Sequence, residues 1–126
     1  MIVRRFAKQS DGSTAVEFGL TAPVFLAALF GVIELGMLFW TQLGIQHAAE
    51  LTARCASINK TICGTDTAIK GFASSKVFGL TIPTSAWTVS QPACGSQINA
   101  NYDFAFVAGF FGAPSWRITA SACFPK

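Results

Sequence analysis

GSTAVEFGLTAPVFLAALFGVIELGMLFW, residues 12–40, decides how this chain folds. Between residues 15 and 40 it holds two acids, Glu17 and Glu34, and no basic residue. A helix over those residues would run roughly 39 Å at about 1.5 Å per residue, more than the roughly 30 Å hydrocarbon core of a bilayer. Arg4, Arg5 and Lys8 lie just before it, and beyond residue 58 the sequence turns polar, with glycines and cysteines. The pattern predicts one membrane-spanning helix carrying a small head on its far side. Glu17 is the awkward residue, a carboxylate inside an otherwise apolar run.

The composition agrees with an anchor plus one small domain. Of 126 residues, 52% are hydrophobic and only 12% are charged, a low share for a soluble domain. Residues 59–126 are few for an unaided core, so covalent staples would help them fold. Net charge is +3, and three of the nine basic residues fall in the first eight positions. A nucleic-acid groove would need basic residues clustered along the folded part, and that clustering is not present.

Residues 1–12, MIVRRFAKQSDG, form a short basic leader. Lys and Arg before an apolar run keep that side of the membrane protein in the cytoplasm. A secretory signal would have an apolar stretch of about 7–15 residues followed by a small-residue cleavage site. Here the order is reversed. Gly12 precedes the apolar run, and Glu17 follows five positions later. On residues alone, an uncut signal anchor is the competing reading.

A glycine followed by Glu at the fifth position of the chain after it resembles the processing site of type IV prepilins and pseudopilins. The longer run DGSTAVEFGLTAPVFLAALFGVIELGMLFWTQLGIQHAAELTARCA resembles the TadE-like minor pseudopilins of the Tad (Flp) pilus system, over residues 4–56. The tail, with its spaced cysteines and closing ITASACFPK, is similar to the same family less specifically. The resemblance implies cleavage between Gly12 and Ser13 by an aspartic prepilin peptidase at the cytoplasmic face. It marks Gly12, Ser13 and Glu17 as the processing site and implies a role in assembling or priming a pilus, with attachment to surfaces as the outcome. TadE-like proteins are minor components, so the main fibre subunit is not implied.

Ser13 and Thr14 are good N-cap residues for a helix starting at a new terminus. The helix is expected over residues 13–57, membrane-spanning at about 15–40 and amphipathic beyond. There Leu43, Ala48, Leu51 and Cys55 lie near one face, and Gln42, Gln46, Glu50 and Arg54 on another. Glu50 and Arg54 are spaced to pair at i, i+4. Pro23 removes a backbone donor and should kink the span. Ala15/Gly19, Ala27/Gly31 and Gly44/Ala48 are small-xxx-small pairs that let another helix approach in lipid. Trp40 and Phe39 suit the outer interface.

An unpaired carboxylate in lipid costs about 2.5–3.5 kcal/mol on insertion scales. Cleavage would create an α-amine at Ser13, and Glu17 of one subunit could then pair with the new terminus of a neighbour, fixing axial register. Alternatively Glu17 lies in the headgroup zone and favours the helix N-terminus through its dipole. Glu34 follows at roughly 25 Å along the axis and about 100° around it. It either snorkels outward or contacts a different neighbour. The family tends to carry an acid at this place, in a G-x-x-E pattern matched by Gly31 and Glu34.

The head, residues 58–126, is expected to contain one short helix and a small antiparallel sheet, so the fold class is α+β and pilin-like. TDTAIKGFASSKVFGL reads as the helix, with Thr65 or Asp66 as N-cap, a stripe of Ala68, Ile69, Phe72, Ala73 and Val77, and Gly79 as the residue past its end. Residues 86–91, 97–109 and 115–124 read as strands, and FFGAP, 110–114, as the turn joining the last two. Residues 99–106 alternate, with Ala100, Tyr102, Phe104 and Phe106 on one face and Asn99, Asn101 and Asp103 on the other.

Cys55, Cys63, Cys94 and Cys123 allow three pairings. A head outside the cytoplasm sits in an oxidising compartment, which favours disulfides. If the last two strands form a hairpin, Cys94 before one meets Cys123 at the end of the other. That leaves Cys55–Cys63 to staple the helix end to its loop. A zinc site would call for a C-x-x-C pair or a nearby His, and neither is there.

One histidine, His47, and two head carboxylates, Asp66 and Asp103, give no nucleophile–base arrangement, and no phosphate-cradling loop occurs. The expectation is therefore no enzyme, no cofactor, no metal and no small-molecule substrate. The partners implied by the resemblance are a prepilin peptidase, other pilin or pseudopilin subunits along the helix, and the membrane. The expected location is a bacterial inner membrane, crossed once, with the N-terminus cytoplasmic and the head periplasmic. The alternative function is an uncleaved single-span protein whose periplasmic head binds a partner in a secretion apparatus. A type II secretion pseudopilin is a nearer rival, against which the residues after Trp40 and the four cysteines both speak.

Overall fold

The computed structural model describes residues 11–107, 112 and 115–126. A helix of 48 residues, α1 (Asp11–Ile58), is followed by α2 (Asp66–Ser75), a 3-10 turn (Thr84–Ala86) and three strands, β1 (Trp87–Ser90), β2 (Ser96–Ala105) and β3 (Ser115–Phe124). The strands form one antiparallel sheet in the order β1-β2-β3. This is the α+β, pilin-like layout expected from the sequence: one long apolar helix, one short helix and a small antiparallel sheet.

α1 is longer than the sequence reading at its start. In the uncut chain Ser13 and Thr14 lie inside the helix rather than capping it, because Asp11 and Gly12 continue the same turn. The helix also runs through Pro23 without interruption. Thr21 and Thr41 turn their hydroxyls back on α1, donating to the carbonyls of Glu17 (2.9 Å) and Met37 (2.8 Å). This leaves the apolar stretch little polar surface to hydrate. At the other end Lys60 donates to the carbonyl of Ala56, and the Asn59 amide closes on the Cys55 carbonyl at 2.8 Å, which satisfies the last turn.

The head packs only on the outer half of α1. The buried face there is Ile45, Ala48, Ala49, Thr52, Ala53 and Ala56, an i, i+3, i+4, i+7 stripe made mostly of alanines. This corrects the face expected from the sequence: Ala48 belongs to it and Cys55 is partly buried, but Leu43 and Leu51 are exposed. Small side chains let the sheet come close, and its inward residues Ile98, Ala100, Ile118 and Ala120 meet the alanine face. Glu50 does not pair with Arg54. Its carboxylate accepts from Gln46 Nε2 at 3.0 Å.

α2 starts where the sequence places it, with Thr65 accepting from the Ala68 amide at 3.2 Å. It stops earlier, with Lys76 as the C-cap, so Gly79 is not the residue past its end. Gly79, at φ 75°, sits instead in a turn that the Leu80 amide closes on the Val77 carbonyl at 2.7 Å. β1 and β2 are shorter than expected, and β3 spans the expected residues. Of the expected joining turn, 110–114, all but Gly112 lies outside the described residues. The β2–β3 register, from Ser96↔Phe124 to Ala105↔Ser115, brings the two strand ends together at that point.

Both disulfides follow the strand order: Cys94 joins Cys123, and Cys55 joins Cys63. In the chain-entropy account the separations of 29 and 8 residues correspond to about 3.6 and about 2.5 kcal/mol.

Candidate functional site: the exposed helix and its junction with the head

Up to about residue 30, α1 packs against no other element among the described residues. Val16, Phe18, Leu20, Val24 and Phe25 are each more than half exposed. Only 6% of the most apolar window of the helix is buried, so it is not the core helix of a soluble domain. It is the one helix among the described residues that is long and apolar enough to cross a membrane. Such a surface requires lipid or other helices around it.

The expected site residues divide along this length. Gly12, Ser13 and Glu17 lie together on the first turns of α1, all exposed. Gly12 and Ser13 fall in the first turn, where amide groups have no partner within the helix. Gly19 and Pro23 are exposed and Gly31 partly so, and nothing in the chain approaches a Cβ position at Gly19 or Gly31. The pairs Ala15/Gly19 and Ala27/Gly31 thus remain available for another helix. Gly44/Ala48 does not. The head uses it, with Val77, Leu80 and Phe78 lying 3.4–3.7 Å from a Cβ position at Gly44 and Ala48 fully buried.

Glu34 is placed differently from either alternative drawn from the sequence. Its side chain is 3% exposed, so it neither snorkels into water nor waits on the surface for a neighbour. The head reaches this level of the helix, and the burial comes from the chain's own fold. Phe104 of β2 shares a cleft with Ile33, Gly36, Met37 and Trp40 on the adjoining turns.

Sequence reasoning missed what Gln42, Gln46 and Ser57 do. β3 is an edge strand, and its free carbonyls need covering. Gln42 Nε2 donates to the Thr119 carbonyl (3.1 Å), Gln46 Nε2 to that of Ser121 (3.4 Å), and Ser57 Oγ to that of Phe124 (3.1 Å). The i, i+4 spacing of the two glutamines was visible in the sequence, but their strand partner was not. His47 stacks on Phe78, with ring centroids 4.9 Å apart and planes 20° from parallel, and Trp40 lies on the same ring at 6.2 Å. Across the outer face of the sheet, Arg117 donates to both carboxylate oxygens of Asp103, at 2.8 and 3.2 Å. Those hydrogen bonds hold the Asp103 carboxyl below its ordinary range and raise Arg117.

A bare apolar helix projecting from a small, disulfide-stapled head is a pilin-like layout with a candidate membrane span. The family model described as TadE-like protein matches residues 12–54, nearly the whole of α1. Over those residues the helix is similar to the TadE-like family. No curated protein and no solved structure matches the chain.

Proposed function

We propose that this protein is a minor pseudopilin that a prepilin peptidase cuts between Gly12 and Ser13, and that it then helps to assemble or prime a Tad-type pilus serving surface attachment. The head would lie in the periplasm and the basic leader in the cytoplasm, because Arg4, Arg5 and Lys8 precede the span. The observation that carries this reading is the exposure of α1 over its inner half, on a helix matching the TadE-like family. A surface suited to lipid before processing is equally suited to the helices of other subunits afterwards.

Glu17 is the register charge in this scheme. It is exposed, four residues past the proposed new terminus, and its carboxylate would meet the Ser13 α-amine of a neighbour. Glu34 has no part in it, being enclosed by the chain itself. The protein acts as the substrate of an enzyme rather than as one, and needs no cofactor. Glu17→Ala is expected to reduce recovery of the protein with sheared pili at least about tenfold, the effect of losing roughly 1.4 kcal/mol of contact. Undiminished recovery would remove Glu17 from the scheme.

A further inference from the structure

The end of the sheet nearest the span lies beside the apolar part of α1, not above it. Phe104 shares a cleft with Ile33, Met37 and Trp40, and its strand partner is Trp116. From there β2 and β3 run on toward the N-terminal end of α1, since Thr119 is level with Gln42 and Ser121 with Gln46. A bilayer core of roughly 30 Å takes up about 20 helical residues, and the headgroup layer on each side adds about four more. Counted from residue 15, the core ends near Glu34 and the outer headgroup layer near Trp40. A bilayer that covers the span therefore meets the head.

The surface at that level suits such a contact. Trp116 is 59% exposed and Trp40 58%, the first opposite Phe104 on the sheet and the second in the cleft beside Phe104 on the helix. Exposed aromatic rings at one level are the mark of a membrane–water interface. The nearest charges in the sheet, Asp103 and Arg117, face the other side and neutralise each other. Glu34 is enclosed by protein and so is kept from lipid.

We infer that Trp116 of the head, at the level of Trp40, is seated in the outer headgroup layer of the bilayer and binds lipid there. This rests on the reading of α1 as a membrane span. Seating would fix the height of the head over the membrane before assembly, and leaving the bilayer would free the same apolar surface.

The test is tryptophan quenching of the full chain in phosphatidylcholine vesicles brominated high on the acyl chains, with iodide as the aqueous quencher. Trp87 is buried in the head core, so Trp40 and Trp116 would give the lipid-quenched signal. Trp116→Phe and Trp40→Phe are each expected to remove about half of the bromolipid quenching, with iodide having little effect on either residue. The inference is overturned if quenching is lost only with Trp40→Phe and iodide quenches Trp116. It is overturned equally if Trp116 is shielded from both quenchers, which would mean that protein covers it. If bromolipid quenches none of the proteins, the membrane span itself is wrong.

Discussion

At Gly95 the backbone takes φ 129°, and a Cβ there would stand 2.1 Å from the Phe124 carbonyl oxygen. Glycine alone meets both conditions, and it sits next to Cys94, whose sulfur must reach Cys123. Gly95→Ala is expected to cost about 1–3 kcal/mol and to lower the melting midpoint of the detergent-solubilised protein by several degrees. An unchanged midpoint would contradict this. The Asp103 carboxyl is held below its ordinary value of 3.8 by the hydrogen bonds from Arg117. A depressed folded pKa contributes stability above the unfolded value and loses it as pH falls through the folded one. Asp103→Asn should therefore melt slightly lower than wild type near neutral pH, and the two should converge in thermal melts as pH falls through the folded value of Asp103. Sequence placed Glu34 along α1, because rise per residue is fixed. It could not show the burial, because the covering groups come from far along the chain. The same holds for Gln42 and Gln46, whose helical spacing was plain while their acceptors lie on β3.

The elements themselves were largely legible. Alternation marked β2, a strand-like run marked β3, Thr65 or Asp66 announced α2, and the apolar run marked the inner half of α1. The head-bearing face of α1 was not legible. Large apolar residues drew attention to Leu43 and Leu51, whereas the sheet settles on Ala48, Ala49, Ala53 and Ala56, where backbones approach most closely. Alanine gives little hydropathy contrast, so its stripe hides in a helix already rich in it. Substitution separates the two faces. Ala53→Leu should overpack the seam and destabilise the head by about 1–3 kcal/mol, while Leu43→Ala should change stability by less than about 0.5 kcal/mol. Denaturant midpoints of the solubilised protein check both, and the reverse order of effects would mean that the faces are misassigned.

The described residues divide between a half of α1 that packs on its own head and a half left largely bare among them. The packed half folds the head and encloses Glu34. The bare half carries Gly12, Ser13 and Glu17 at its start, small-residue pairs along its length and the TadE-like match throughout. In the proposed function, anchor and assembly surface are one element used in succession, and the change from one to the other is the cut. The most direct test is the N-terminus of the protein isolated from cells that contain a prepilin peptidase, by sequencing or intact mass. The account predicts a chain beginning at Ser13. A chain that keeps residues 1–12 in those cells would contradict it.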